Sequence, residues 1–557
     1  MNMRMEEISM KCELKLVSSL EKIFFEKFTE MPEHRVGSMM KNEIYSFQLA
    51  MWGEHEWLTK LNCKLQIESE LEPYIEIKQI GYVPSVLPVN EAVADDDYLT
   101  KKPGLLPDPL YAVKNGEITI FNHQARSFWV VVEPKGEMVG VYPIVFKVFD
   151  AEDNLLAEEC FTLEVIDAEL PEMDIVNTGW FHGDCIAKLH DVEVLSDEYF
   201  AIVEKYINVY VKFGHNMILT PIFTPPLDTA IGGERPTNQL IEVIIQNGQY
   251  FFGFDNLKRW VDLCHKCGIK YFEFSHFFTQ WGAYHAPKVM ATVDGEYKRI
   301  FGWETDALSI EYKEFLNAFL PKLIAFLNQE GIIQECYFHV SDEPSDEHEN
   351  QYRDVKDVLL AYIDDSQLID ALSAYSFYEK GIVSKPIVSS DHIHTFIEHD
   401  VKDLWTYYCT AQGREVANRF MAMPSYRNRV LGYQLYKYDI KGFLHWGFNF
   451  WFSQYSVSVQ NPYMDTTAGG GFQSGDAFVV YPLDENGEVV CSLRLYVFNE
   501  TMQDMRALKL LELLAGRQTV VDMLKDIDGF GSYPRNSHYI IQLRELVNAK
   551  IKTMMNL

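Results

Sequence analysis

Apolar and polar residues alternate through the first third of the chain, which is the pattern of β-strands with one buried face. At positions 142, 144, 146 and 148 the sequence has Tyr, Ile, Phe and Val on one side of such a strand. Segments 127–134 and 161–165 repeat the alternation, and Gly, Asp and Asn residues nearby are typical of turns. Successive strands without long helices predict an antiparallel β-sandwich over residues 1–172.

From residue 173 the pattern changes to short apolar runs that alternate with helical segments. The helical segments are 196–213, 254–267, 309–329, 347–363 and 392–399. The predicted strands are 175–181, 217–223, 271–276, 336–341, 368–374, 386–390, 404–409 and 443–450. Eight strands separated by helices predict a (β/α)₈ TIM-like barrel over residues 173–515, followed by a helical tail over residues 516–557. A doubly wound parallel sheet is the alternative.

Two local patterns add to this prediction. The stretch 95–109 is rich in Asp, Pro and Gly, and it predicts a long surface loop. Farther along the chain, Thr501 and Asp504 have the spacing of a helix-capping pair. They predict a helix that begins near residue 499.

Composition and charge exclude some classes of binding partner for this chain. The chain has 557 residues, with 49 Lys and Arg against 81 Asp and Glu, so its formal net charge is −32. Such a charge repels nucleic acid and anionic membranes, because both are bound through clustered basic residues. Aromatic residues make up 14%, and they could line a carbohydrate site as well as a core. A neutral saccharide or glycoconjugate therefore suits this chain better than a polyanion.

The sequence predicts a cytoplasmic protein without membrane insertion. Its first ten residues lack the apolar run of a signal peptide, and no apolar run approaches the roughly 20 residues of a membrane span. Nine cysteines, an odd number, fit reduced thiols better than a disulfide framework. The oligomeric state is left open by these features.

Acids, histidines and aromatic residues recur where the predicted barrel strands end, as in segments 180–184, 220–228 and 273–281. In a barrel, the side chains at these ends face one shared cavity. Aromatic rings there can stack on the apolar faces of sugars, and polar side chains can bind hydroxyl groups. The predicted substrate contacts are His276, Trp281, Tyr407, Tyr408, Trp446, Asn449 and Asp476.

Two adjacent carboxylates, Asp342 and Glu343, give the sharpest chemical signal, in the segment His339-Val-Ser-Asp-Glu-Pro344. A structural interpretation stays open, because Ser341 or Asp342 could instead cap the helix that follows. Glycosidases use a carboxylic acid to protonate the leaving oxygen and a second group to stabilise the oxocarbenium-like transition state. Adjacent carboxylates suit substrate assistance, in which one carboxyl orients a 2-acetamido group and the other is the general acid/base.

The same segment, together with the runs 436–451 and 475–482, resembles the catalytic domain of glycoside hydrolase family 123. The resemblance covers residues 173–515, and the preceding strands are similar to that family's N-terminal domain. It implies a β-N-acetylgalactosaminidase in which Asp342 orients the 2-acetamido group and Glu343 is the general acid/base. Such an enzyme releases terminal β-linked N-acetylhexosamine with retention, through an oxazoline-type intermediate.

Three other motifs give little support to metal or cofactor chemistry. Cys264 and Cys267 have the spacing of half a zinc site, but they lie in a predicted helix and no second pair follows. Three histidines within 392–399 lack the spacing of helical metal ligands. The glycine-rich segment 469–475 lacks the lysine of a phosphate-binding loop, and it predicts a flexible loop over the barrel mouth. We expect no metal and no cofactor.

Two other functions fit the same residues. One is a non-catalytic carbohydrate-binding protein on a barrel scaffold, and the other is a barrel glycosidase for a different sugar. The binding protein would keep its sugar affinity without the two carboxylates, and it would turn over no aryl glycoside.

Overall fold

The computed structural model describes residues 11–55, 59–136 and 138–556. The prediction about the first ten residues therefore lies outside the described residues. Within the described part of the region before residue 173, ten strands form two five-stranded sheets. These strands are β1 (Lys11–Ser18), β2 (Val36–Met40), β3 (Tyr45–Glu54), β4 (Lys60–Glu68), β5 (Ile75–Ser85), β6 (Gly104–Ala112), β7 (Glu117–Phe121), β8 (Arg126–Val132), β9 (Gly140–Phe149) and β10 (Leu155–Ile166).

The two sheets have the orders β1-β3-β8-β5-β6 and β2-β10-β9-β4-β7. Alternate apolar side chains from both sheets meet in one core, where Phe47 of β3 stacks on Phe161 of β10 with ring centroids 4.0 Å apart. Neighbouring strands are antiparallel except β2 and β10, which are parallel. The expectation of a fully antiparallel arrangement is wrong at this pair, because the long intervening chain lets β10 return beside β2 in the same direction.

The remaining strands build a closed barrel and two smaller sheets. They are β11 (Val176–Gly179), β12 (Met217–Thr220), β13 (Glu242–Gln246), β14 (Gln249–Gly253), β15 (Tyr271–Phe274), β16 (Val289–Val293), β17 (Glu296–Phe301), β18 (Cys336–His339), β19 (Leu368–Leu372), β20 (Pro386–Ser389), β21 (Trp405–Tyr407), β22 (Gly442–His445), β23 (Val480–Leu483) and β24 (Val489–Cys491). The barrel order is β11-β12-β15-β18-β19-β20-β21-β22, with every pair parallel. Because β22 pairs back onto β11, the doubly wound alternative is excluded.

Helices connect most of the barrel strands and continue after the last one. They are α1 (Gly183–Leu189), α2 (Asp197–Lys212), α3 (Asp255–Cys267), α4 (Ile310–Gln329), α5 (Glu349–Leu360), α6 (Tyr375–Glu379), α7 (Ile393–Glu398), α8 (Ser425–Arg429), α9 (Leu431–Lys437), α10 (Leu493–Ala515), α11 (Arg517–Met523) and α12 (Ser537–Met554). Strands β13, β14, β16 and β17 form a separate four-stranded sheet within the connections around β15. Across the described ranges, no helix combines the length and the apolar character required to cross a bilayer.

The eight predicted barrel strands all appear, in the predicted order, but each ends one to five residues earlier than predicted. Serine follows β15, β19 and β20 directly, but the other five strands are each followed by an apolar or aromatic residue, so there the apolar sequence pattern continues beyond the last hydrogen bond between strands. Their side chains are buried by loops at the end of the barrel and no longer by neighbouring strands. The predicted strand ends therefore mark the wall of a cavity.

The predicted start of a helix near residue 499 is wrong. Helix α10 begins at Leu493, and the Ser492 hydroxyl caps it by accepting from the backbone N–H of Leu495. Thr501 lies inside the helix, where its hydroxyl donates to the carbonyl of Val497 at 3.0 Å. Asp504 accepts hydrogen bonds from two buried arginines of distant segments, Arg429 and Arg544. Two polar residues with the spacing of a helix-capping pair thus lie in the interior of a buried helix.

The predicted surface loop 95–109 is confirmed over residues 95–103 and wrong from Gly104, where β6 begins, and both parts contact the rest of the chain through acidic residues. Asp95 forms ion pairs with Arg427 and Arg535. Asp108, on β6, is fully buried, and its two carboxylate oxygens accept from Arg494 of α10 at 2.7 and 2.9 Å. Two of the Asp residues in this segment therefore pair with arginines far along the chain, and one of them, Asp108, is fully buried.

We expect the Arg494→Ala variant to lose about 3–5 kcal/mol in the free energy of unfolding, because it leaves Asp108 charged, buried and unpaired. Denaturant unfolding measures the loss. The matched control is Arg35→Ala, which breaks an exposed ion pair with Glu159 and should cost about 0–1 kcal/mol. Equal losses for the two variants would contradict a special contribution from the interface pair.

Candidate active site

A cavity of about 160 Å³ opens at the carboxyl end of the barrel. Buried apolar side chains of the strands form its floor, such as Ala371 on β19 and Leu444 on β22. More exposed side chains of the loops, including Trp281 and Glu343, form its mouth. The complete lining consists of Trp180, His182, Leu227, Asp228, Gln280, Trp281, Asp342, Glu343, Ala371, Tyr407, Cys409, Thr410, Leu444, Trp446, Phe450 and Phe472.

Asp342 and Glu343 lie in the turn that follows β18, and both line the cavity. Asp342 is half-buried, whereas Glu343 is exposed at the mouth. The carbonyl of Asp342 accepts from the backbone N–H of Trp281 at 3.2 Å, which ties this turn to the loop after β15. The two residues therefore line one cavity and differ in their exposure to solvent.

Left-handed backbone conformations cluster around the cavity at residues that are not glycine. The φ angles are 47° at Glu343, 60° at Trp281, 43° at Asp228 and 62° at Tyr455. Each such residue costs of order 1–3 kcal/mol, and such residues persist only where the surrounding structure holds them. Their concentration here is typical of a functional site.

Tyr407 positions the carboxyl group of Glu343. Tyr407 is the last residue of β21, it is 5% exposed, and its hydroxyl donates to Oε1 of Glu343 at 2.7 Å. Burial, reinforced by the nearby charge of Glu343, raises the pKa of Tyr407 well above its ordinary value. The phenol therefore remains a proton donor throughout the neutral pH range.

A buried chain of two carboxylates and one histidine crosses the barrel beneath this turn. Nε2 of His339 lies 2.6 Å from Oε1 of Glu273, and Nδ1 of His339 lies 3.1 Å from Oδ1 of Asp370. All three side chains have no exposed surface. Burial alone lowers the pKa of His339, but the hydrogen bonds and charges of Asp370 and Glu273 outweigh it and raise the pKa to about 10. His339 is therefore an imidazolium that donates from both ring nitrogens.

Asp370 also holds the backbone that leads into the turn. Its Oδ1 accepts from the N–H of Val340 at 3.1 Å, and its Oδ2 accepts from the N–H of Ser341 at 3.4 Å. The hydroxyl of Tyr352 donates to the same carboxylate. These bonds fix the two residues that immediately precede Asp342, so the direction of the Asp342 side chain depends on Asp370.

The pKa of Asp342 is raised well above its ordinary value. Burial is the largest cause, and the adjacent charge of Glu343 acts in the same direction. The imidazolium of His339 opposes both, while the anionic Asp370 and Glu273 add to the rise. The protonation state of Asp342 is consequently set by the buried chain as well as by its neighbour.

Five of the nine predicted site residues line the cavity: Asp342, Glu343, Trp281, Tyr407 and Trp446. The other four, His276, Tyr408, Asn449 and Asp476, are buried behind its wall. Tyr408 follows Tyr407 directly, and successive residues of an extended chain point to opposite sides. Its ring accordingly packs on Phe443 on the outer side of the barrel strands, towards the helices, with ring centroids 5.0 Å apart.

Asn449 and Asp476 support the cavity wall from behind. The side-chain amide of Asn449 accepts from the backbone N–H of His182 at 2.8 Å and donates to the His182 carbonyl at 3.1 Å. Oδ2 of Asp476 accepts from the indole N–H of Trp446 at 3.0 Å. Burial raises the pKa of Asp476 to about 7, although the charge of Arg419 opposes this rise. Both residues orient groups that line the cavity and do not line it themselves.

His276 stacks on His339 inside the barrel, with ring centroids 4.2 Å apart. Burial and the charge of His339 hold the pKa of His276 well below its ordinary value, so this ring is neutral. His276, His339 and Asp370 have the residue types and the closeness of a metal site. However, both ring nitrogens of His339 already lie within hydrogen-bond distance of carboxylate oxygens, 2.6 Å from Glu273 and 3.1 Å from Asp370. A buried charge chain fits these residues better than a metal centre.

Several polar residues of the lining are absent from the predicted set, among them Asp228 and His182. Burial raises the pKa of Asp228 to about 6 against the charge of Arg235. Burial, together with the same arginine, lowers the pKa of His182 to about 4, which keeps that ring neutral. Both residues occur in the strand-end segments 180–184 and 220–228, so the sequence contained the signal for them.

We expect His339 to remain doubly protonated at pH 8, because its pKa is about 10. Selective ¹⁵N labelling of histidine and NMR would measure this, with the neutral ring of His276 as the internal reference. Since the folded pKa is raised, the ion pairs stabilise the fold fully below a pH of about 6.5 and lose that effect as the pH rises through about 10. A neutral His339 at pH 8 would contradict the charge chain.

The family model for the glycoside hydrolase 123 catalytic domain matches residues 180–511. A structure of a family 123 glycoside hydrolase from Clostridium perfringens, described for glycolipid glycan hydrolysis, has a TM-score of 0.74 and 15% identity, with 98% of each chain covered. A glycosyl hydrolase family 2 member from Bacteroides cellulosilyticus has a TM-score of 0.27 and 9% identity, over 82% of this chain and 48% of the other. A putative beta-galactosidase from Bacteroides fragilis has a TM-score of 0.30 and 12% identity, over 80% and 57%.

No curated protein matches the chain. The Clostridium perfringens structure establishes similarity of fold at its level of identity, and the other two structures are too dissimilar to support a conclusion. The family model covers more than half of the sequence and spans the strand ends that line the cavity. The chain therefore belongs to the glycoside hydrolase 123 family.

Proposed function

We propose that the protein is a retaining glycosidase that releases terminal β-linked N-acetylhexosamine, N-acetylgalactosamine in particular, by substrate assistance. The observation that carries this proposal is that two adjacent acidic residues, Asp342 and Glu343, both line one cavity at the carboxyl end of the barrel. Family membership supports the glycosidase class. The proposed substrate is a neutral saccharide or glycoconjugate, as the formal net charge of −32 favours.

Glu343 is the proposed general acid/base. It lies at the mouth, where the glycosidic oxygen of a sugar bound on the floor would lie, and Tyr407 fixes one of its oxygens. In the first step Glu343 protonates the leaving oxygen while the 2-acetamido oxygen attacks the anomeric carbon and forms an oxazoline. In the second step Glu343 takes a proton from water, which opens the oxazoline and returns the anomeric carbon to its original configuration.

Asp342 is the proposed partner of the 2-acetamido group. As a carboxylate it would accept from the amide N–H, orient the carbonyl oxygen for attack and stabilise the positive charge that develops on the oxazoline. A residue in this role needs a fixed direction, and the bonds of Asp370 to Val340 and Ser341 supply it. The imidazolium of His339 favours the ionised form that the role requires, against burial and the charge of Glu343, which together keep the pKa of Asp342 raised.

The aromatic lining supports a saccharide as the ligand. Trp180 and Trp446 line the cavity, and the indole N–H of each donates to a buried carboxylate, Glu273 and Asp476 respectively. Their rings are thereby held in one orientation, as stacking on a sugar requires. We further interpret the eight-stranded region, 173–515, as a (β/α)₈ catalytic barrel, residues 1–172 as a β-sandwich domain and residues 516–557 as a helical tail.

The Glu343→Gln variant should lose about 10²–10⁴-fold in kcat on an N-acetylhexosaminide with a poor leaving group, and far less on one with an activated aryl leaving group. The reason is that an activated phenol departs without a proton. Glu347→Gln is the matched control, since Glu347 is an exposed acid of the same segment that does not line the cavity. Unchanged turnover of the poor leaving group by Glu343→Gln would refute the assignment.

The Asp342→Asn variant should lose most activity on substrates that carry the 2-acetamido group. A matched aryl glycoside with a 2-hydroxyl group in its place provides the comparison. Substrate assistance predicts that kcat/KM falls by about 10²-fold or more on the first substrate and much less on the second. Equal losses on the two substrates would instead assign Asp342 to a general role in charge stabilisation.

On the acid side of the pH–rate profile, the apparent pKa should exceed the ordinary Asp value of about 3.9. The reason is that the reaction needs ionised Asp342, and the pKa of Asp342 is raised. Activity is then lost as the pH falls through the raised pKa. The measurement is kcat/KM against pH with an activated aryl glycoside, for which proton donation by Glu343 matters least. A limb at or below the ordinary value would contradict the requirement for ionised Asp342.

A further inference from the structure

We infer that Arg419 and His445 are positioning residues of the cavity. Together they hold the carboxyl group of Asp476, which in turn orients the indole of Trp446 in the cavity wall. Neither Arg419 nor His445 is part of the cavity lining. The inference rests on the proposed function, because it takes the cavity as the place where the substrate binds, and it adds two residues that act on the site from behind its wall.

His445 carries its ring proton on Nε2. Its Nδ1 lies 2.6 Å from Nη2 of Arg419 and 3.0 Å from the backbone nitrogen of Gly447. A guanidinium group and a backbone N–H can only donate, so Nδ1 accepts from both of them. Burial, followed by the charges of Arg419 and Arg494, holds the pKa of His445 well below its ordinary value. The ring is therefore neutral, and its single N–H is on the other ring nitrogen.

That N–H lies beside the carboxyl group of Asp476. Nε2 of His445 is 3.6 Å from Oδ1 of Asp476. Both atoms are buried, and across residues 11–55, 59–136 and 138–556 neither of them has a hydrogen-bond partner. At 3.6 Å the contact is longer than a hydrogen bond. It is an electrostatic contact between the positive end of an N–H dipole and a carboxyl oxygen.

The charge of Arg419 explains why the ring is held between these two groups. Arg419 is 2% exposed, and among the described residues no carboxyl oxygen lies within 4.0 Å of its guanidinium nitrogens. The neighbouring buried Arg494, by contrast, pairs directly with Asp108. A buried charge without a counter-charge is costly. The nearest solution is Asp476, which faces Arg419 across the His445 ring.

Arg419 and Asp476 also influence each other's ionisation. Burial raises the pKa of Asp476 to about 7, and the charge of Arg419 is the strongest of the influences that oppose this rise. Burial likewise lowers the pKa of Arg419 to about 10, against the charges of Tyr408 and Asp476. Asp476 is therefore the counter-ion of Arg419, and the neutral ring of His445 connects the two charges.

Asp476 transmits this constraint to the cavity wall. Its Oδ2 accepts from the indole N–H of Trp446 at 3.0 Å, while Oδ1 faces His445. An ionised carboxylate is the stronger acceptor, so the indole is held best when Arg419 and His445 favour the ionised form. Trp446 lines the cavity. Loss of the constraint should therefore weaken substrate binding and leave the chemical step.

Asp476 is the group of this cluster that titrates near neutral pH. Burial raises the pKa of Tyr408 to about 12 and that of Cys409 well above its ordinary value, so both stay protonated. The ionisable groups that act on Asp476 are Tyr408 and Cys409 after β21, Arg419 before α8, His445 at the end of β22 and Arg494 in α10.

The first test uses NMR on the unaltered protein. With ¹⁵N-labelled histidine, we expect His445 to be neutral at pH 7 and to carry its proton on Nε2. With ¹⁵N-labelled tryptophan, the indole N–H of Trp446, assigned by its loss in Trp446→Phe, should shift with a midpoint near pH 7 as Asp476 gains a proton. The indole of Trp260, which donates to the hydroxyl of Thr220, is the internal reference.

The second test uses His445→Asn and His445→Gln, which separate the two ends of the ring. The amide of Asn reaches the position of Nδ1 but not that of Nε2, whereas the amide of Gln reaches the position of Nε2. We expect His445→Asn and Arg419→Met to move the midpoint of the Trp446 titration upwards, because both remove an influence that favours ionised Asp476. His445→Gln should keep the midpoint close to that of the unaltered protein.

The same variants should separate KM from kcat. On an aryl N-acetylhexosaminide, His445→Asn and Arg419→Met should raise KM about three- to tenfold, the size of a weakened ring-stacking contact, with little change in kcat. His445→Gln should restore most of the difference. His538→Asn, at an exposed histidine of α12, is the matched control and should change neither quantity. Thermal unfolding of each variant separates loss of positioning from loss of the fold.

Three outcomes would overturn the inference. One is a His445 ring in the unaltered protein that is an imidazolium or carries its proton on Nδ1 at pH 7. Another is a Trp446 midpoint that is the same in the unaltered protein, His445→Asn and Arg419→Met. The third is a fall in kcat at constant KM, which would assign the two residues to the chemical step. Failure of the proposed function is distinguishable, because neither NMR measurement requires turnover.

Discussion

The hydrogen bonds of the buried Asp370 carboxylate are the interactions on which the candidate active site depends. A charge without solvent must be fully hydrogen-bonded, and Asp370 meets this requirement with the ring of His339, the backbone of Val340 and Ser341 and the hydroxyl of Tyr352. The hydrogen bonds that compensate for the burial of the Asp370 carboxylate also fix the course of the turn that follows β18. The direction of the Asp342–Glu343 pair thus follows from an electrostatic requirement one strand away.

The fold was largely predictable because buried parallel strands and amphipathic helices each require a characteristic spacing of apolar residues, which is visible in the sequence. All eight barrel strands were anticipated in order, whereas closure of the barrel was not determined by any local pattern. Errors occurred where a polar residue has a partner far along the chain. In the sequence Asp504 has the position of a helix cap, but in the structure it pairs with Arg429 and Arg544. Asp108 likewise has the sequence context of a loop residue, but in the structure it pairs with Arg494.

The site was predictable in its residue types and less so in its geometry. Asp342 and Glu343 stand out because adjacent acids at the end of an apolar strand are rarely needed for packing. The difference between Tyr407 and Tyr408 depends on the phase of a three-residue strand, which a sequence pattern cannot fix. Asp228 lies eight residues beyond its strand, so the position at which the loop returns to the cavity becomes visible only in the structure.

The interface between β6 and α10 connects the N-terminal sheets to the wall of the cavity. Arg494, held by Asp108 of the N-terminal sheets, also donates to the carbonyls of Gly475 and Phe478, on either side of the residue that orients Trp446. The N-terminal sheets therefore brace one wall of the cavity. Because of these contacts, we expect the two regions to unfold as a single cooperative unit. A barrel excised from its sheets would keep the carboxyl pair but lose the rigidity of the surface that faces it.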